Sequence, residues 1–315
     1  MKKKWIAIGE SIHASIPKTG ERMARLRELG PDAYSASSEP LDYIKSLIES
    51  QAAEGADYIA VNLDAFGEDE PQVAVDMMLE YVRMVRKWGN GVPICIDSSN
   101  DDILIAGLKE WHNTDQKVAQ PLINSIKVFT MDNMLPFKKD YDYAFVGLLM
   151  SESGKPHSVD ELYSLAKQIF NEAVGKYDFK PQELFFDSTI FPLAIDMPMQ
   201  PGEPGYTYKT FETIKKIKSD GDIKGVHFTG GISNCARDLP ARKTGIMRAF
   251  VHKAMEYGMD SGIVNVKHHL CEGEAAPELL QLVDAYAKMD GSPERTNEAM
   301  MLMGNFCQES RKPAG

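Results

Sequence analysis

Short apolar runs alternate with longer stretches of helical periodicity along most of the chain. Strand-length runs fall at residues 5–11, 58–63, 94–99, 122–128, 143–150, 184–189, 225–231 and 261–267. Most are continuously apolar rather than alternating, the pattern of parallel strands covered on both faces. Between them, apolar residues recur at helical spacing. Leu41, Ile44, Leu47 and Ile48 form one stripe, closed by Gly55. Val75, Met78, Leu79, Val82 and Val85 form another, opened by Pro71 and followed by Gly89. Ser158 and Glu161 make a capping box ahead of Leu162, Leu165 and Ile169. Phe211, Ile214 and Ile217 mark a further helix, and Gly258 ends the one before the last strand. The link between the fourth and fifth strands has room only for a stubby helix.

Eight strands with intervening helices, then a helix around 277–288, predict an α/β fold, a (β/α)8 barrel over about residues 5–290. A doubly wound open sheet is the competing architecture, and the count of eight favours the barrel. All 315 residues are expected to form a single domain, with one amphipathic helix around 297–307 and disorder over 309–315. Residues 12–40 and 190–206 read as long loops at the barrel mouth, where such loops bind ligands or form lids. The second contains Met197 and Met199, and flexible methionines suit a broad apolar partner.

The strand ends are polar in a matched way. In chain order they give Gly9-Glu10-Ser11-Ile12-His13, Asn62 with Asp64, Asp97-Ser98-Ser99-Asn100, Asn124-Ser125, Met150-Ser151, Asp187-Ser188-Thr189, Gly230-Gly231-Ile232-Ser233-Asn234 and Asn265. In a barrel these ends gather at one mouth, where active sites sit. Two Asp and two Asn there suit a neutral heterocycle, whose N–H donors need carboxylate or amide oxygens and whose acceptors need amide N–H groups. A metal site is not expected, because Glu10 and His13 stand at the first strand without His227 or His268-His269 at joining spacing. Gly230-Gly231 fits a phosphate turn only weakly, since paired glycines mark any tight turn.

Each residue also has a plainer reading. Asp97 suits a helix N-cap, although Asn100 or Asp101 suits it better. Asn124 suits a satisfied core amide, Asp187 a loop cap, and Asn234 a left-handed turn. His13 serves loop packing or catalysis equally well. His227 reads as a hydrogen-bonded core residue, and His268-His269 as a polar turn. Their joint occurrence at one mouth is what the plainer readings leave unexplained.

Composition narrows the classes. A net charge of −11 without a basic run disfavours nucleic acid as a partner. No apolar run approaches membrane-helix length, and the stretch after Lys2-Lys3-Lys4 stops at Gly9-Glu10, too short for a signal core. No membrane association and a cytoplasmic location are therefore expected. Cys95, Cys235, Cys271 and Cys307 form no CxxC motif, and nothing nearby activates one as a nucleophile.

Taken in order, Gly9-Glu10-Ser11-Ile12-His13, the segment 55–62, Cys95-Ile96-Asp97-Ser98-Ser99-Asn100, Ile123-Asn124-Ser125, Phe186-Asp187-Ser188 and Gly231-Ile232-Ser233-Asn234 resemble the pterin-binding methyltransferases. That family includes methyltetrahydrofolate–corrinoid methyltransferases and the folate domain of cobalamin-dependent methionine synthase, with dihydropteroate synthase as a cousin. The resemblance spans about residues 6–266. It implies that Asp97, Asn124 and Asp187 hold the pyrimidine edge of a tetrahydropterin, helped by Asn62, Gly231 and Ser233. It implies that Asn234 acts beside N5, with Glu10, His13, Asp64, Met150 and Arg237 as further candidates. The implied substrates are tetrahydrofolate or 5-methyltetrahydrofolate and a methylcobalamin-type corrinoid. No Asp-x-His-x-x-Gly motif is present, so a partner protein is expected to carry the corrinoid. A homodimer is implied too. The chain departs from the family at His13, often Asn, and at Ala60, often Asp. Two alternatives stay open: a dihydropteroate synthase-like condensing enzyme using Lys127 and Arg237, and a folate-binding barrel without turnover.

Overall fold

The computed structural model describes residues 5–154, 158–198 and 200–310. Eight strands alternate with helices: β1 (Ile6–His13), α1 (Pro17–Leu29), α2 (Glu39–Ala53), β2 (Tyr58–Asn62), α3 (Pro71–Trp88), β3 (Ile94–Asp97), α4 (Asp101–His112), β4 (Leu122–Ile126), α5 (Met131–Met134), β5 (Ala144–Leu148), α6 (Val159–Lys176), β6 (Leu184–Asp187), α7 (Tyr206–Ser219), β7 (His227–Phe228), α8 (Lys243–Tyr257), β8 (Ser261–Val264), α9 (Pro277–Ala287) and α10 (Pro293–Glu309). All strand pairs are parallel, in the order β7-β6-β5-β4-β3-β2-β1-β8. This is the expected (β/α)8 barrel.

Two apolar layers build it. Inside, Ile8, Ala60, Cys95, Leu122, Ala144, Val146 and Phe185 fill the barrel. Outside, the alternate strand residues Ile59, Val61, Ile94, Ile96, Ile123, Phe145 and Phe186 pack under the helices. Continuous apolar strands follow from this two-sided burial. The stubby helix expected between β4 and β5 is α5, flanked by 3-10 turns at Val128–Thr130 and Leu135–Lys139. Asn100, not Asp97, caps α4 by accepting from the Asp102 N–H at 2.8 Å.

Three expectations change. Residues 12–40 are not one long loop, because α1 occupies Pro17–Leu29. It buries only Thr19, Met23 and Leu26, too thin a stripe to stand out among its charged residues. Every strand but β1 is shorter than its apolar run; β7 keeps two residues, and the following glycines turn into a 3-10 segment, Ile232–Ala236. The loop 190–206 is anchored rather than loose, since Asp196 is buried and accepts the Tyr206 and Thr207 N–H groups at 2.7 and 2.8 Å. These satisfy two orphan donors of the first turn of α7. Met199 and the end of the tail, 311–315, lie outside the described residues.

The ladder does not close evenly. Strands β7 and β8 share one isolated bridge, Gly231 to Ile263, with the Ile263 N–H donating to the Gly230 carbonyl at 2.9 Å. Side chains stitch this seam instead. Asp260 accepts the Phe228 N–H at 3.0 Å and faces His227 Nδ1 at 3.1 Å. The Ser261 hydroxyl donates to Thr229 Oγ1 at 3.2 Å.

Candidate active site

Side chains alternate faces along a strand, so a residue two beyond an inward-facing one also faces inward. Glu10 stands two beyond Ile8, Asn62 two beyond Ala60, Asp97 two beyond Cys95, Asn124 two beyond Leu122, and Asp187 two beyond Phe185. Each polar residue thus sits one layer above the apolar plug. Strand register sets three of them side by side, Asn62 paired with Asp97 and Asp97 with Asn124; Asp187 pairs with Leu148, two residues beyond Val146, the partner of Asn124.

A cavity of about 580 Å³ opens above this layer. Glu10, His13, Asn62, Asp97, Asp187, Gly231, Ser233, Asn234 and Arg237 line it, together with Ile12, Ser15, Ile16, Ala60 and Ile263. Asn124 joins through Asp97, whose Oδ1 accepts from Asn124 Nδ2 at 3.0 Å. Met150 lies apart, in a separate recess with Leu149, Ser188 and Phe191. Asp64 is not a lining residue either. Its carboxylate accepts from the Ser98 hydroxyl at 2.5 Å and from the Ser99 N–H and hydroxyl, each at 2.8 Å. It ties the β2 and β3 turns together.

Burial sets the electrostatics. It lifts the Asp97 carboxyl to about 7, against the opposing hydrogen bond from Asn62 and with the repulsion of Asp64 and Asp187. Burial lifts Asp187 to about 6, partly offset by the Thr189 N–H, which donates to Oδ1 at 2.6 Å. Thr189 holds φ = 66°, an unusual conformation for a β-branched residue. Burial also raises the Glu10 carboxyl, against the Ser233 hydroxyl and the Asn265 N–H. Three carboxyl groups thus face one cavity, each holding its proton more tightly than in water. A ligand presenting N–H donors relieves them; a phosphate does not.

His13 is half-buried in the cavity wall. The Ser15 N–H donates to its Nδ1 at 3.1 Å, which leaves the proton on Nε2, and burial lowers its pKa. Asn234 sits in the turn Ile232–Ala236, whose apolar members Ile232, Cys235 and Ala236 are buried. Its amide folds back over Gly231, where an added Cβ would lie 2.9 Å from Nδ2. Asn234 is not in the left-handed region. Arg237 lies exposed at the rim. His227 is half-buried and stacks on Phe185, with ring centroids 4.7 Å apart. Cys235 is buried, and burial pushes its thiol well above the ordinary range. Among the described residues, no group of three or more His, Cys, Asp or Glu is placed to hold a metal ion, and no helix is long and apolar enough to cross a membrane.

Gln51 plays a part that the sequence reading missed. Pairing of β1 with β2 slips between Gly9 and Ile12, so Glu10 and Ser11 both face Ala60. This bulge leaves the Ser11 N–H unpaired, and buried Gln51 Oε1 accepts it at 3.2 Å. A Cβ on Gly9 would stand 2.3 Å from that same oxygen. The signal was a glutamine continuing the apolar stripe of α2 after Leu41, Ile44 and Ile48.

The chain is similar to several known proteins. The chain is 25% identical over 268 residues to the methylcorrinoid:tetrahydrofolate methyltransferase of Eubacterium limosum, across 82% of this chain and 84% of that protein. It is 24% identical over 271 residues to the methionine synthase of Mycobacterium tuberculosis, across 83% of this chain but 21% of that much longer protein. Similar solved structures include the dihydropteroate synthases of Stenotrophomonas maltophilia (TM-score 0.47, 15% identity, 87% of this chain and 90% of that one) and Xanthomonas albilineans (0.48, 12%, 99% and 94%). The family model for pterin-binding enzymes matches residues 29–265. With its ring of Asp and Asn side chains over an apolar plug at the mouth of a (β/α)8 barrel, the chain belongs to the pterin-binding enzyme family.

Proposed function

We propose that this protein is a methyltransferase that moves a methyl group between N5 of tetrahydrofolate and the cobalt of a corrinoid carried by a partner protein. The observation that carries this reading is the set of Asn62, Asp97, Asn124 and Asp187 above the apolar plug, three of them adjacent in strand register and Asp187 facing the same cavity. A pterin's amino-pyrimidinone edge offers N–H donors beside a carbonyl. Asp97 and Asp187 supply acceptors for the donors, and the amides supply both kinds of partner. The cavity falls within the range of about 300–1,000 Å³ common for ligand pockets. The Eubacterium relative carries this activity in its name and aligns along most of both chains.

Within this reading the side chains divide by role. Asp97, Asn124 and Asp187, with Asn62, orient the pterin so that the methyl moves in line between nitrogen and cobalt. Gly231 and Ser233 shape the turn that carries Asn234. The Asn234 amide stabilises N5 in either protonation state as charge develops. The corrinoid, when docked, supplies or accepts the methyl group. Ile16, Phe129, Ile195 and Met197 are exposed on the loops after β1, β4 and β6, an apolar rim suited to a corrinoid face. Either direction of transfer, and a homodimeric assembly in the cytoplasm, belong to the same reading. A pterin-condensing activity would need a basic pyrophosphate site. Arg237 lines the cavity, but Lys127 is not among the lining residues and stands over Phe129, 5.8 Å from the ring centroid.

The test mixes the protein with methylcobalamin and tetrahydrofolate and follows the visible spectrum as methyl–cobalt is lost. A spectrum that stays unchanged in both directions, with a corrinoid protein supplied, sinks the reading; release of pyrophosphate from a pterin diphosphate would establish the condensing alternative. Asp97→Ala should abolish folate binding. Asn234→Ala should slow transfer by about 10²-fold and leave folate affinity largely intact.

A further inference from the structure

The turn that carries Asn234 grows from the weakest join in the barrel. Its strand, β7, has two residues, and one bridge links it to β8. From below, Ile232, Cys235 and Ala236 anchor the turn by burial. No side chain caps its start. From the cavity side, one side-chain hydrogen bond reaches it from a distant strand: the Ser233 hydroxyl donates to Glu10 Oε2 at 3.1 Å, across 223 positions of sequence. Glu10 is itself held. The β1 bulge, braced by Gln51, sets its place. The Glu10 side chain therefore joins β1 to the turn after β7, beside the gap that the ladder leaves open.

We infer that Glu10 is a positioning residue for Asn234, fixing the Gly231–Asn234 turn through the Ser233 hydroxyl. The inference rests on the methyl-transfer reading, because only there does the placement of the Asn234 amide govern a rate. Glu10 acts through Ser233, so the two side chains form one device rather than two independent contributors. A neutral amide at position 10 keeps an acceptor for the Ser233 hydroxyl; a methyl group does not.

The experiment is a double-mutant cycle on single-turnover methyl transfer, with tetrahydrofolate affinity measured in parallel. Ser233→Ala and Glu10→Ala should each lower the rate about ten- to hundredfold, the range in which misplaced catalytic groups fall. The double variant should lose no more than the worse single one. Glu10→Gln should restore a rate within about threefold of the parent, a rescue that loss of packing would not give. The affinity of Ser233→Ala for tetrahydrofolate should stay within about threefold of the parent, splitting the effect onto the rate. Multiplying losses in the double variant, or Ser233→Ala at the parent rate, overturns the inference and leaves the methyl-transfer reading standing. A parent protein that transfers no methyl overturns that reading instead. The contact is then judged by amide hydrogen exchange over residues 230–237. Faster exchange in Glu10→Ala, but not in Glu10→Gln, upholds Glu10 as the brace of the turn, and unchanged protection overturns it.

Discussion

Asp97 answers two opposed demands. It must sit deep enough to recognise a ligand edge in a dry site, and depth makes its own charge costly. The structure meets both with two amides, Asn62 and Asn124, that hydrogen-bond the carboxyl without neutralising it. The consequence for stability has a definite sign. The native protein holds a proton on Asp97 up to about 7, and on Asp187 up to about 6, whereas the unfolded chain releases both near ~4. Over that window the native state binds more protons, so these two groups make the ligand-free protein less stable as pH rises from about 4 to 7. Each unit between native and unfolded pKa is worth about 1.4 kcal/mol. Asp97→Asn should flatten the slope of unfolding free energy against pH in that interval, as measured by urea titration; an unaltered slope would show that Asp97 ionises normally. That Asp97, Asn124, Asp187 and Asn234 gather at the barrel mouth was legible in the sequence, because buried strands rarely end in polar residues without a reason. That Asp64 turns away to bind Ser98 and Ser99, and that Met150 lies in another recess, was not. Both depend on turn geometry that no periodicity encodes.

At the scale of elements, the informative one is β1 with its bulge. Two residues opposite one leave an N–H without a ladder partner, and α2 sends Gln51 inward to take it. Replacing Gln51 with Leu keeps the apolar packing of α2 but orphans the Ser11 N–H. The expected cost is about 1–3 kcal/mol, read from chemical denaturation; on the proposed methyl-transfer reading the rate should fall as well, as Glu10 loses its setting. Normal stability in Gln51→Leu would mean that the bulge satisfies itself. Helix ends were mostly legible: the Ser158–Glu161 capping box, Pro71 at the start of α3 and Gly258 after α8 all hold their expected places. Strand ends were less so. Apolar runs continue past the last ladder residue because the turns beyond them are buried too, as Leu149, Ile232 and Ile190 are. The first helix escaped notice for the opposite reason, since its buried stripe is narrow and its remaining face is charged.

For the whole molecule, barrel closure is the property that no single element owns. The seam between β7 and β8 relies on Asp260, which is 6% exposed and receives the Phe228 N–H, with His227 and Lys218 beside it. His227 and the Phe228 N–H hold its carboxyl below the ordinary range against the cost of burial. Its contribution is therefore present above the unfolded pKa and lost as pH falls through the lower native one. Asp260→Ala should destabilise the protein by roughly 3–5 kcal/mol, the cost of stranding the partners of a buried charge, and should loosen amide protection in β7 and β8 first. Uniform loss of protection around the barrel would argue that the seam is no weaker than the rest. The sequence by itself determined the eight-strand alternation, the two-sided burial of the strands and the polar character of their ends, because hydrophobic periodicity and turn chemistry are local. Only the tertiary structure decided which polar ends share one cavity, which are spent on holding turns, and that Glu10 reaches Ser233 beside an open seam. Register, bulges and closure are set by contacts between residues far apart in the chain, and the pattern along a single strand carries no record of its neighbours.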